Sequence, residues 1–187
     1  MTVLGGGRFV VIIFDWDDTL LASSFLSSKG YRLDTPSNFC EDVEAQLKLL
    51  EKSVFQVISA ALKYGEVHVI TNAETGWVEL SAQKFMPGVV PLLAQVSIIS
   101  ARSTYEESFP AAPLKWKYMA FQERLTSSFH GCEKTVSKNI VSFGDSHVER
   151  EAVRMVTRCV YSLSCFVFVF VASHFWCWIQ RSSQGQN

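Results

Sequence analysis

Residues 9–14 read Phe-Val-Val-Ile-Ile-Phe and break off abruptly at Asp15-Trp16-Asp17-Asp18-Thr19. A run of β-branched and aromatic residues without polar alternation marks a strand covered on both faces, since a half-exposed strand would place a polar residue at every second position. Such a strand needs helices above and below it, which points to a layered α/β fold. The rest of the chain alternates to match. Residues 41–64 carry apolar side chains at Val43, Leu47, Leu50, Val54, Val57, Ile58, Ala61 and Leu62, the spacing of one helix face, closed by Gly65 at its C-terminal end. Next come a strand over 67–70, a helix over 76–85 and a strand over 96–99, then a loop over 101–113 containing Pro110 and Pro113. A helix over 114–125, a strand over 139–143 and a helix over 147–157 complete the pattern. This alternation predicts right-handed crossovers and a mostly parallel sheet in a three-layer α/β/α, Rossmann-like fold, with ligands at the carboxyl ends of the strands.

At 187 residues the chain has the size of one such domain. Seventeen Lys and Arg against 18 Asp and Glu give a net charge of -1, so charge supplies no reason to expect nucleic acid or anionic lipid as the main partner. Hydrophobic residues at 48% and charged residues at 19% provide for a buried core. The five cysteines, at positions 40, 132, 159, 165 and 177, form no C-x-x-C pair, which speaks against a disulfide scaffold or zinc knuckle. The N-terminal apolar run is too short for a signal peptide and no N-x-S/T acceptor occurs, so a cytoplasmic or other reducing compartment is expected. Gly5-Gly6-Gly7 precedes a strand, where a phosphate loop would have to follow one, and reads as a flexible end.

The composition changes after Arg158. Residues 159–179 hold no Asp, Glu, Lys or Arg and include Phe-Val-Phe-Val-Phe-Val over 166–171. Three expectations compete for the tail 159–187 behind a core of 1–158: a fifth strand over 166–171, favoured because the alternation requires one; a membrane segment over 159–179, near the ~20 residues that span a bilayer; or a tail foreign to the core.

Three polar clusters directly follow strands: Asp15 to Thr19, Thr71-Asn72, and Gly144-Asp145-Ser146. A parallel sheet gathers them at one edge, and carboxylates so close together call for a hard cation, which with an anionic ligand makes Mg²⁺ and phosphate the natural pair. At these residues the sequence resembles the haloacid dehalogenase superfamily of phosphohydrolases. Asp15-Trp-Asp-Asp-Thr19 is similar to its D-x-D-x-T motif, Val69-Ile-Thr71-Asn72 to its second, Lys117 or Lys115 to its motif lysine, and Gly144-Asp-Ser-His-Val-Glu149 to its fourth. The resemblance spans 9–157.

What the resemblance implies is a Mg²⁺-dependent phosphomonoester hydrolase working through an aspartyl phosphate. Asp15 would be the nucleophile and Asp17 the acid and base. Thr71, with Thr19, Asn72 and Lys115, would bind phosphoryl oxygens, and the lysine, Lys117 or Lys115, would neutralise charge beside Asp15. Asp15, Asp17 through its carbonyl, Asp145 and Glu149 would hold the metal. Residues alone also permit simpler roles: Asp-Asp-Thr as a helix N-cap, Ser146 as the cap of the next helix, His68 as a core histidine, His147 as a cap or solvated, and Trp77 and Trp116 as packing residues. Neither gap between motifs has room for a cap domain. An open site suits a phosphoprotein or other large phosphate ester, and a small metabolite would need a lid from 22–38. The alternative function is a catalytically silent interaction module of the same fold, attached to a membrane by its tail.

Overall fold

The computed structural model describes residues 8–36, 38–132, 136–160 and 165–171. The strands β1 (Arg8–Phe14), β2 (Glu66–Thr71), β3 (Ser97–Ser100), β4 (Ser137–Gly144) and β5 (Cys165–Val171) form one sheet in the order β3-β2-β1-β4-β5. Every pairing is parallel. The helices are α1 (Ser23–Ser28), α2 (Glu41–Tyr64), α3 (Trp77–Phe85), α4 (Val90–Leu93) behind a single 3-10 turn, α5 (Ala101–Tyr105), α6 (Pro113–Ser128) and α7 (His147–Val160).

The unalternated first strand explains the layers. Ile12 and Phe14 face a cluster that includes Leu47, Leu50, Val54 and Ile58 of α2 with Val78, Ala82 and Phe85 of α3. Phe9, Val11 and Ile13 face the opposite cluster, which includes Trp116, Phe121 and Leu125 of α6 with Ala152, Val153 and Val156 of α7. Side chains alternate across a strand, so burial on both sides leaves no position for a polar residue. The chain is therefore a three-layer α/β/α, Rossmann-like domain with an all-parallel sheet. Only α1 and α2 lie between β1 and β2, which leaves no cap domain there.

Sequence order runs outward from β1 through β2 to β3 and then jumps back to β4 on the other side of β1. The chain thus reverses direction between β1 and β4, which is where an open parallel sheet leaves a crevice for ligands.

Three local expectations change. The loop over 101–113 begins with α5, because Ser100 caps that helix by accepting a hydrogen bond from the Ser103 amide at 2.9 Å. The polar stretch 22–38 contains α1, whose first turn is held by the Asp18 carboxylate on the Ser24 amide at 2.9 Å. The 3-10 turn and α4 fill what was a simple helix stop at Met86-Pro87-Gly88. Gly65 closes α2 as expected, in an extended conformation with its amide on the Ala61 carbonyl. Its need is space: a Cβ there would lie 2.2 Å from the Val10 carbonyl oxygen. His68 is buried, as a core histidine should be, and burial pulls its pKa down to about 4.

The tail expectation that falls on described residues resolves as a strand, with β5 paired to β4 from Lys138↔Cys165 to Gly144↔Val171. No helix among the described residues is long and apolar enough to cross a membrane. The expectations for 1–7 and for the tail beyond 171 lie outside the described residues.

Two outcomes follow from these contacts. Gly65→Ala is expected to destabilise the fold by about 1–3 kcal/mol, the usual range for forcing an atom into packed structure, read as a lower urea midpoint; an unchanged midpoint would contradict the close approach to Val10. Ending the chain at Arg158 strips β5 from β4, and the exposed edge is expected to drive the shortened chain into the pellet after expression. If the shortened chain were more soluble than the full one, the strand assignment would fail and the membrane expectation would return.

Candidate active site

Three strand ends build one cleft of about 340 Å³, lined by Asp15, Asp17, Asp18, Thr71, Asn72, Asp145 and Glu149 together with Lys117. Asp15 leaves β1 with its amide donating to the Phe143 carbonyl at 2.9 Å, so the motif stays stitched to β4 for one residue past the strand. The backbone then curls. The Trp16 carbonyl accepts from the amides of Leu20 and Leu21 at 2.9 and 3.0 Å, and Asp18 takes a left-handed φ of 52°, a conformation that aspartate tolerates better than most residues. This curl allows Asp15 and Asp17 to line the same cleft. Asp18 also borders it, yet its carboxylate is committed to Ser24 through both the amide and the hydroxyl.

Lys117 comes from α6 and is 1% exposed. Its ammonium donates to Asp15 Oδ1 and lies 2.9 Å from Glu149 Oε1. A buried ammonium without partners would be expelled or deprotonated, so the two carboxylates are the reason it can stay. Burial works against the Lys117 charge, but Asp15 and Glu149 overcome it and hold the ammonium protonated. Burial pushes Asp15 from its ordinary 3.8 up to about 6 against the pull of Lys117. Burial also opposes the Glu149 charge, yet Lys117 and Ser146 outweigh it and keep Glu149 below the usual carboxylate range. Asp145 is raised, first by burial and then by the neighbouring Glu149 charge.

Gly144 makes this arrangement possible. A Cβ there would lie 2.4 Å from Glu149 Cγ, so only glycine lets Glu149 fold back over the end of β4 toward Lys117. Ser146 has two duties, donating its hydroxyl to Glu149 Oε2 at 2.5 Å and accepting from the Val148 amide at 3.1 Å as a helix cap.

The candidates separate on this geometry. Asp15, Asp17, Thr71, Asn72, Lys117, Asp145 and Glu149 share the cleft. Of the two lysines, Lys117 reaches Asp15, whereas Lys115 lies over the rings of Phe109 and Tyr118 at 5.3 and 4.9 Å and is not among the residues lining the cleft. Thr19 is buried behind Asp15, with its hydroxyl 3.4 Å from Asp15 Oδ2, and it too does not line the cleft. Asn72 ties the site to α6 through Nδ2 on the Pro113 carbonyl at 3.3 Å. Glu149 has both oxygens engaged by Lys117 and Ser146, so it serves the lysine better than it would serve a metal. His147 is exposed. Trp116 packs in the core, as expected.

Trp77 packs against the core, as expected, and in addition its indole Nε1–H donates to Asp17 Oδ1 at 2.9 Å. The sequence signal was its place: it opens the helix after Thr71-Asn72, at the same sheet edge as the motif aspartates. A second cavity of about 500 Å³ lies on the other side of Trp77, walled by α1, Tyr31, Leu33 and Phe85, and shares no lining residue with the acidic cleft. Its wall is the stretch from which a lid was expected, and Lys84 on α3 holds that stretch by donating to the carbonyls of Arg32, Leu33 and Thr35.

Five carboxylates and one ammonium line the acidic cleft. That surplus of negative charge suits a cation. Among the described residues no three acidic, histidine or cysteine side chains are arranged to hold one unaided. Asp15 and Asp145 are the side chains left for it, a set that fits Mg²⁺, which binds through one or two carboxylates and keeps several waters. No protein-family model, curated protein or solved structure matches the chain.

The buried triad gives a pH-dependent prediction for metal-free protein. The folded Asp15 takes up its proton near 6 and the unfolded chain near 3.8, so this contribution to stability is full below about 3.8 and is lost as pH rises through about 6. Lys117→Met removes the positive charge that Asp15 and Glu149 share, and is expected to cost about 3–5 kcal/mol at pH 8 and less at pH 5, where Asp15 carries a proton. Urea denaturation in EDTA at the two pH values reads the difference; equal losses would refute the charge argument.

Proposed function

We propose that the chain is a Mg²⁺-dependent phosphomonoester hydrolase of the haloacid dehalogenase type that acts through an aspartyl phosphate. The observation that carries it is the pairing of Lys117 with Asp15 at the mouth of β1, in a cleft that also holds Asp17, Thr71 and Asp145. Lys117 holds Asp15 Oδ1 at close range while the Thr19 hydroxyl lies 3.4 Å from Oδ2, so Oδ2 is the less tightly held oxygen and serves as the nucleophile. Oδ2 attacks phosphorus, the ester P–O bond breaks, and the departing oxygen takes a proton from Asp17. Asp17, now a carboxylate, removes a proton from water; the resulting hydroxide attacks the acyl phosphate, inorganic phosphate leaves, and Asp15 is regenerated with Asp17 protonated again. The Thr71 hydroxyl and the Lys117 ammonium stabilise the charge that builds on the phosphoryl oxygens.

Asp15 and Asp145, with the Asp17 backbone carbonyl, are the groups that would hold Mg²⁺, and the ion would offset the negative charge of the carboxylates and the incoming phosphate. The substrate is a phosphate ester, drawn to an open cleft without a cap domain. A reducing compartment such as the cytoplasm suits it.

Asp15→Asn keeps the shape of the carboxylate and removes its nucleophilicity, so turnover of an aryl phosphate is expected to vanish while the circular dichroism spectrum stays that of the parent. EDTA is expected to abolish turnover and Mg²⁺ to restore it, with Ca²⁺ inhibiting because its looser coordination holds Asp15 away from in-line attack. Metal-independent hydrolysis, or an Asp15→Asn variant as active as the parent, would overturn the assignment.

A further inference from the structure

Asp17 is held from two sides: its Oδ2 lies 3.4 Å from the Thr71 hydroxyl, and its Oδ1 accepts the Trp77 indole N–H at 2.9 Å. The indole is the closer donor, and it is itself firmly placed. The connection between β2 and α3 is pinned by the Ala73 amide on Thr71 Oγ1 at 2.9 Å, the Ser100 hydroxyl on the Ala73 carbonyl at 2.6 Å, and the Thr75 amide on Ser103 Oγ at 3.0 Å. Gly76 then turns the chain at a φ of 89°, and the Trp77 amide reaches the Glu74 carbonyl at 3.1 Å. The ring packs against the core cluster beneath α2 and α3.

The chemistry of the donor matters. An indole N–H donates only and carries no charge. A lysine or arginine in its place would tie Asp17 to its ionised form, and a histidine or tyrosine could exchange protons with it. Tryptophan fixes the rotation of the carboxyl group and leaves the transferable proton alone. With Oδ1 taken, Oδ2 is the oxygen on the Thr71 side, where the phosphoryl group would bind.

We propose that Trp77 is a positioning residue that locks Asp17 with Oδ2 toward the ester oxygen, so that leaving-group protonation depends on it. This inference rests on the hydrolase function proposed above. General acid catalysis contributes roughly 10²–10⁴-fold, and most of it is needed only when the leaving oxygen is a poor one. Trp77→Phe retains a ring and loses the N–H. It is expected to lower kcat on an alkyl phosphate such as glycerol phosphate by ~10–100-fold, part of the general-acid contribution. On 4-nitrophenyl phosphate, whose leaving group needs little protonation, kcat is expected to change by a few-fold at most. KM should move little on either, whereas Asp17→Asn, which also removes the base of the second step, should lower turnover of both esters, more for the alkyl one.

A second readout does not depend on turnover. The Trp77 indole resonance, assigned by its disappearance in Trp77→Phe, is expected to move upfield and exchange faster with solvent in Asp17→Ala, because its acceptor is gone. Equal kcat losses on both esters, no loss on either, or an indole resonance indifferent to Asp17→Ala would overturn the positioning role while leaving the hydrolase assignment standing. Failure of the parent protein to hydrolyse any phosphate ester would sink that assignment, and this role with it.

Discussion

The ammonium of Lys117 is shut away from water between a carboxylate at the end of β1 and one from the first turn of α7, and this contact ties the site to the fold. Asp15 arrives at the end of β1, Glu149 arrives from the first turn of α7, and Lys117 projects from α6, 102 positions along the chain from Asp15. Each of these charges would be strongly unfavourable in the interior by itself. Together they remain charged only if α6 and α7 pack on the same face of the sheet and β4 lies beside β1. The pairing of β1 with β4 and the cluster beneath α6 and α7 supply that geometry. Burial at the cleft therefore works in two directions: it raises Asp15, and it strengthens the lysine contact that fixes the Asp15 carboxylate.

The opposite face of the sheet has a different task. Helix α2 covers β1 and β2, while α3 begins close to the cleft and delivers Trp77 onto Asp17. Asp15 and Asp17, the nucleophile and proton donor of the proposed reaction, are thus held by independent parts of the molecule, Asp15 by a buried ion pair on one face and Asp17 by a neutral hydrogen bond from the other. A nucleophile benefits from a neighbouring positive charge. A group that must gain and lose a proton in one cycle is better held by a donor that stays neutral.

Much of this was legible in the sequence because it depends on short-range pattern. The run at 9–14 specified a strand covered on both faces, the 3.6-residue spacing marked 41–64, and strand-to-polar transitions located Asp15, Thr71 and Asp145. What was hidden depends on distance in space. Lys115 and Lys117 are two positions apart on one helix, and only the direction in which α6 faces the sheet tells which one reaches Asp15. Glu149 reads as a metal-type acid, but its link to Lys117 requires α6 and α7 to be neighbours. Gly65 reads as the end of α2, which it is, but its closeness to Val10 was hidden because it is a contact between residues 55 positions apart. Trp77 reads as a packing residue and packs, but its hydrogen bond to Asp17 was hidden because an indole N–H leaves no mark on periodicity.

The central claim is that Asp15 forms a covalent bond to phosphorus. Borohydride reduces an acyl phosphate to an alcohol, so the full-length protein quenched during turnover of a phosphate ester in Mg²⁺, then treated with borohydride and digested, should yield homoserine in place of Asp15 in its N-terminal peptide. The modification should be absent without substrate and absent in Asp15→Asn. Steady turnover with Asp15 unmodified, or with the label on another residue, would contradict the account.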